Sequence, residues 1–142
     1  MKNKHTHIFV LLLMIMACHL SLMAKNLYSL TSPDGKLTVS ISTTNKDVSY
    51  SIFYDKGILL KDCKARLGIA GSDGNISITT VKKRKIRENV ISPFYRFSSF
   101  ADECNEMNIG LNKELGIIFR VYNDGVAYRF YTMKTGQLVI NS

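Results

Sequence analysis

The residues best suited to chemistry in this 142-residue chain are four clustered carboxylates, Asp102, Glu103, Glu106 and Glu114. Two carboxyl groups held about 5 to 9 Å apart can serve as acid and base on a glycosidic bond. One of them must then be desolvated, so that its pKa rises, beside a cleft that takes the sugar. The alternative is a polar segment over 102–107 with its charges in water. No cleft signal surrounds the cluster, so no catalytic residue is assigned. All three histidines, His5, His7 and His19, lie before residue 24, and the chain has no tryptophan. Beyond that point the commonest general base and metal ligand is therefore missing, and so is the best stacking platform for a sugar ring. No metal site is expected. Carbohydrate-binding residues stay unassigned; a free-standing sugar-binding module would have to build an aromatic patch from Tyr50, Tyr54, Phe94, Tyr95 or Phe97.

Net charge is +8, and its densest run is Lys82-Lys83-Arg84-Lys85 with Arg87. An anion site could use such a run, but no aromatic residues interleave with it as in single-strand binders. A solvated strand that touches the core at Val81 and Ile86 is the simpler reading. Arg120 and Arg129 form a second basic pair, on either side of Asp124-Gly125. That dipeptide accepts the positive φ angles of a tight hairpin turn, and β-formers flank it. A two-residue loop sets Val121 opposite Tyr128, Phe119 opposite Phe130 and Arg120 opposite Arg129. Slipping by one residue would mix the apolar and polar faces. Directly opposed arginines repel by a few tenths to about 1 kcal/mol. An interdomain contact through this face would relieve them, as would an internal Asp or Glu, or extension into water.

The elements that must position these residues are strands. Leu37, Val39 and Ile41 alternate with Thr38, Ser40 and Ser42, and Val48 to Tyr54 repeats the pattern after Asn45-Lys46-Asp47, which predicts a hairpin. Lys56-Gly57 turns the chain into Ile58-Leu59-Leu60. A short strand is expected over 65–70, a turn over 71–75, and renewed alternation at Ile76, Ile78 and Thr80. A polar strand through Arg87 follows, then strands over 94–100, 106–111, 117–122 and 126–131, with Pro93 at a strand start or edge. No segment keeps a helical period over ten residues. About ten short strands with Gly and Asn/Asp turns predict an all-β, antiparallel sandwich.

The first 24 residues stand apart. Lys2 and Lys4 precede the apolar run 8–17, the form of a secretory signal peptide; the run is short for a bilayer span, which takes about 20 residues. Cleavage after Ala24 would leave a mature domain over 25–142 and an exported, periplasmic protein. Alternatively Ile15-Met16-Ala17-Cys18 is a lipoprotein box, with lipid on Cys18. After export Cys63 and Cys104 form an even pair in an oxidising compartment, where they make one disulfide or remain two buried thiols.

Ser32-Pro33-Asp34-Gly35-Lys36-Leu37 and the segment Arg120-Val121-Tyr122-Asn123-Asp124-Gly125-Val126-Ala127-Tyr128-Arg129-Phe130 closely resemble the N-terminal sandwich domain of glycoside hydrolase family 97. The resemblance runs over about residues 28 to 140. It implies a twisted sandwich of the galactose-mutarotase kind, present here in part, and a non-catalytic role beside the separate barrel of an exported α-glycosidase. An independent carbohydrate-binding sandwich or a surface lipoprotein is the alternative. The catalytic barrel is the partner it implies, with an α-linked oligosaccharide as a further one and no nucleic acid. The family's acid, base and calcium ligands map outside this sequence, so no cofactor is assigned. After Pro93 the chain has Phe94-Tyr95-Arg96-Phe97 where relatives often carry Gly-Glu.

Overall fold

The computed structural model describes residues 26–44, 47–69, 76–93, 96, 98–112, 114–137 and 140–141. The elements are β1 (Asn26–Thr31), β2 (Leu37–Thr43), β3 (Val48–Tyr54), β4 (Gly57–Ala65), β5 (Gly68–Ile69), β6 (Ile78–Ile91), β7 (Ser99–Leu111), β8 (Leu115–Val121), β9 (Val126–Thr132) and β10 (Ile140–Asn141). There is no helix among the described residues. Two antiparallel sheets, β1-β2-β3-β4 and β6-β7-β8-β9, each follow chain order, and β10 pairs with β5. Such meanders need only short connections, which suits a chain punctuated by turn residues.

Alternation along the strands decides which side of each sheet is dry. Val39, Ile41, Met107, Ile109, Ile117 and Phe119 are wholly buried and belong to one core cluster between the sheets. Burying each is worth about 1.5–3 kcal/mol. β1 packs on β7 and β2 on β8, while Tyr50 of β3 meets Tyr128 of β9 with ring centroids 5.6 Å apart. The sheets therefore stack one strand out of step. β6 overhangs β1 on one side of the sandwich and β4 overhangs β9 on the other.

Ser32 to Gly35 makes the β1–β2 turn. Pro33 fits the second position of such a turn, Gly35 donates from N to the Ser32 carbonyl at 3.0 Å, and Gly35 takes φ +80, which favours glycine. The Ser32 hydroxyl donates to Asp34 Oδ1 at 2.6 Å, and Leu37 N donates to Ser32 Oγ at 3.0 Å.

Several expectations need correction. The short strand expected over 65–70 is instead the end of β4, which reaches Ala65, followed by the two-residue β5. The alternation at Ile78 and the basic stretch are one long strand, β6. The polar segment 102–107 is continuous β7, because its partners on β6 run in unbroken register from Thr80 to Ile91 alongside it. Pro93 lies in the β6–β7 connection, beyond the ladder it would interrupt. Val81 does pack on the core, but Ile86 is buried on the opposite face, beside Cys104. The expected leader with Cys18, the expected turn over 71–75, and Phe94, Tyr95 and Phe97 lie outside the described residues.

The β8–β9 hairpin keeps its predicted faces but not its register. Val121 pairs with Val126, Phe119 with Tyr128 and Arg120 with Ala127. The connection is the four residues 122–125, closed by Tyr122 N donating to the Gly125 carbonyl at 2.8 Å. Neither Asp124 nor Gly125 has positive φ. A shift of two residues leaves every side chain on its own face, so the apolar pattern that excludes a one-residue slip cannot distinguish these two registers.

Candidate functional site

The outer face of the second sheet holds several of the charged residues that the sequence brought forward. Arg84, Glu106 and Arg120 are direct cross-strand neighbours on β6, β7 and β8. Arg84 Nε donates to Glu106 Oε1 at 2.6 Å and Arg120 Nε to Glu106 Oε2 at 2.8 Å. Arg120 Nη1 extends along β7 to Asp102 Oδ2 at 3.2 Å. The Glu106 side chain is only 4% exposed, Arg120 is 29% exposed and Arg84 is 63% exposed. One buried carboxylate is thus shared by a half-sheltered arginine and a solvated one.

Burial opposes ionisation of Glu106, but the hydrogen bonds from Arg84 and Arg120 outweigh it and hold its carboxyl below the ordinary glutamate value. The Tyr122 hydroxyl and then the Glu106 carboxylate keep Arg120 firmly charged. Burial pushes the Tyr122 hydroxyl and the Cys104 thiol up. A general acid for glycosidic cleavage needs a raised carboxyl pKa, and Glu106 is driven the other way. Strand alternation separates the rest of the acidic cluster. Glu103 points to the opposite side of β7 and pairs with Arg87 at 3.1 Å, while Glu114 pairs with Lys134 at 3.4 Å, both in water. The expectation that all these charges are solvated fails for Glu106 and Asp102.

The opposed arginine pair is likewise replaced. Arg120 faces Ala127 across the hairpin and is paired internally, which was one of the three ways of relieving it. Arg129 lies opposite Ile118, is exposed, and makes no ion pair among the described residues. Both arginines line a shallow concavity of about 260 Å³ with Ile118, Tyr122 and Ala127.

Cys63 and Cys104 are free thiols. Cys63 sits opposite Tyr50 on the inner side of the first sheet, whereas Cys104 sits opposite Ile86 on the outer side of the second. A whole sheet layer separates them, so the proposed disulfide has no geometry. Of the aromatic residues suggested for a sugar platform, Tyr50 is taken up between the sheets, edge-on to Phe119 at 5.9 Å. Tyr54 is 43% exposed. Among the described residues no three His, Cys, Asp or Glu side chains converge on a metal position. The carboxylates of β7 are turned to arginines instead.

Two contacts had no sequence signal strong enough to find them. Asp34 N donates to Asn123 Oδ1 at 3.0 Å, which ties the β1–β2 turn to the β8–β9 turn 89 positions on. The two motifs that carried the family resemblance therefore meet at one end of the sandwich. On the outer face, Tyr131 lies over Gly116 and donates its hydroxyl to Asn108 Oδ1 at 2.8 Å. A Cβ on Gly116 would fall 2.3 Å from the Tyr131 ring. An isolated glycine inside a strand was the available hint of such close approach.

Residues 30–142 match the family described as glycosyl-hydrolase 97 N-terminal. A retaining alpha-galactosidase of Bacteroides thetaiotaomicron is 30% identical over 122 residues, covering 84% of this chain and 18% of the enzyme. Among solved structures, a glycoside hydrolase family 97 enzyme of Pseudoalteromonas sp. strain K8, in complex with acarbose, superposes with a TM-score of 0.64 at 21% identity, over 80% of this chain and 19% of that one. A beta-arabinopyranosidase superposes equally well, at 24% identity, over 80% of this chain and 20% of its own. These structures share the fold, and the chain spans about a fifth of each relative's length.

Proposed function

The chain belongs to the glycosyl-hydrolase 97 N-terminal family, and from that premise we propose that it is a non-catalytic sandwich domain serving an exported α-glycosidase. Its work is to support a catalytic barrel, with Arg129 and the face that Arg120 braces making the interdomain contact. The observation that carries this reading is the state of Glu106. The best-placed carboxylate is buried, doubly bound by arginines and held in its ionised form, which suits a structural brace and not a proton donor. Export rests on the basic and apolar leader, with lipid on Cys18 as its variant form.

The test is an assay of the purified chain against aryl α-galactosides and aryl α-glucosides. Hydrolysis at the buffer rate, unchanged in Glu103→Gln and Glu106→Gln, is expected. Turnover by the chain alone that disappears on neutralising either residue overturns the proposal.

A further inference from the structure

The basic run lies at the end of the second sheet farthest from β9, on the edge strand β6. Lys83 and Lys85 stand on its inward side, opposite Met107 and Asn105 of β7, where β6 overhangs β1. Lys83 Nζ donates to the Ser29 carbonyl at 2.7 Å, and Asn105 Nδ2 donates to the Thr31 carbonyl at 2.6 Å. Between the two strands runs a trough of about 490 Å³, lined by Ser29 and Thr31 of β1, Asn105 of β7 and Lys83, Arg84 and Lys85 of β6. Three of these residues are cations, and neither a carboxylate nor an aromatic ring reaches the trough. Arg84 keeps a side chain 63% exposed even with its Nε on Glu106.

The other wall supplies main-chain donors. In an antiparallel ladder one residue turns its N–H and C=O to the same side. Ser32 N bonds the Leu37 carbonyl, so Leu30 and Tyr28 turn their main chain to β2 while Thr31 and Ser29 turn theirs to the trough. The bonds from Asn105 and Lys83 to the Thr31 and Ser29 carbonyls agree with that alternation. The N–H groups of both residues therefore point the same way, beside the lysines.

This arrangement sorts among partners. A neutral sugar or a single-stranded nucleic acid wants an aromatic platform, and the trough has none. An acidic peptide adding a strand to β1 would need the Ser29 and Thr31 carbonyls, which Lys83 and Asn105 already hold. A flat anionic membrane takes lysines that point outward, whereas Lys83 is turned in. A volume of this size suits a ligand of several rings, in the range of about 300–1,000 Å³, more than one small anion fills. Lys83 and Lys85 lie about 7 Å apart along the strand, so separate acidic groups of one chain reach both.

We propose that the trough between β1 and β6 binds a linear acidic glycan, one carrying carboxylate or sulfate groups. Its anions take Lys83, Arg84 and Lys85, and its hydroxyls accept from the Ser29 and Thr31 N–H groups. The site is separate from the face assigned to the barrel.

The test titrates the purified chain with a short oligogalacturonate, a chondroitin sulfate oligosaccharide and neutral maltooligosaccharide, and reads affinity and amide exchange. Binding of either acidic glycan but not of the neutral one is expected, weakening with salt and protecting the Ser29 and Thr31 amides; the tighter of the two names the anion. Lys85→Gln should weaken binding about three- to fivefold, and Lys83→Gln with Lys85→Gln at least tenfold. Lys56→Gln with Lys61→Gln removes the same charge at the far end of the first sheet and should change affinity less than twofold. Urea unfolding of each variant separates lost binding from lost folding. No binding of either acidic glycan, equal loss in the two double variants, or loss in Arg129→Gln in place of Lys85→Gln overturns the proposal. Single-stranded DNA or anionic phosphatidylglycerol vesicles bound as tightly as the glycans, with the same protection, overturn it as well. Hydrolysis of aryl glycosides by the chain alone removes the domain reading and leaves this one standing.

Discussion

Neutralising Glu106 is the sharpest perturbation of this structure. Glu106→Gln keeps the shape and one acceptor oxygen but removes the charge that two guanidinium groups share. Breaking a fully buried ion pair costs about 3–5 kcal/mol, and exposed pairs contribute about 0–1 kcal/mol. The Glu106 side chain is 4% exposed, but its inner partner Arg120 is 29% exposed and keeps Asp102 at 3.2 Å. The loss therefore falls between those limits, at about 1.5–2.5 kcal/mol, close to one charge-assisted hydrogen bond. Arg120→Gln should cost a similar amount, since it releases both Glu106 and Asp102.

The assay is urea unfolding of the parent, each single variant and the double variant, at neutral pH and fixed salt. A double-mutant cycle should give a coupling between Glu106 and Arg120 of about 1 kcal/mol or more. Arg84, which is solvated, should couple to Glu106 more weakly than Arg120 does. Arg129→Gln should shift stability by no more than about 0.5 kcal/mol. A Glu106→Gln loss below about 0.5 kcal/mol at unchanged m, or an Arg84 coupling larger than that of Arg120, refutes the reasoning. The first result would mean that the carboxylate is not held by the face; the second would mean that shelter does not set the strength.

The remaining tests are quicker. Because the folded pKa of Glu106 is depressed, its contribution is complete above the ordinary glutamate range and disappears as pH falls through the folded value; the stability gap between parent and Glu106→Gln should narrow in acid titrations below pH 4.5. Gly116→Ala should displace the Tyr131 ring and break its bond to Asn108, costing about 1 kcal/mol, and the cost should largely vanish in a Tyr131→Ala background, as denaturation of the pair would show. Asn123→Ala should lower the thermal midpoint by loosening the β1–β2 turn from the β8–β9 turn, with faster amide exchange at Asp34 as the local readout. Thiol labelling of the native protein should reach Cys63 before Cys104, which is 1% exposed and has its thiol pushed up by burial; Cys104 should react only on unfolding.

What the sequence made legible follows from period-two alternation. Strand type, the β2–β3 hairpin and the identity of the core rows all derive from residues such as Val39, Ile41 and Val121, whose neighbours in sequence are polar. Alternation is blind to shifts of two residues, so it gave Arg120 the wrong partner while giving it the right face. It is also blind to what stands on the far side of a strand. Glu106 looked solvated because it stands in the polar stretch that begins at Asp102, yet its surroundings come from β6 and β8, 22 and 14 positions away. Cys63 and Cys104 failed as a disulfide for the same reason, since parity on two different sheets has no signature in their spacing.

The outer face of the second sheet shows how a surface layer can be made dry without a third sheet. Ile86, Cys104 and Ile118 are buried there, 4%, 1% and 9% exposed, although they lie outside the inter-sheet core. Arginine stems can cover apolar surface while their heads remain in water, and the long side chains on that face include Arg84, Arg120, Arg129 and Tyr131. If the bound heads fix those stems, the ion pairs act on packing as well as on charge. Replacing Glu106 should then raise exchange of the amides around Cys104 and Ile118 and make the Cys104 thiol easier to label. The core amides of Ile109 and Phe119 should change only with global stability. Equal acceleration at both places would show that the arginines brace the charge alone.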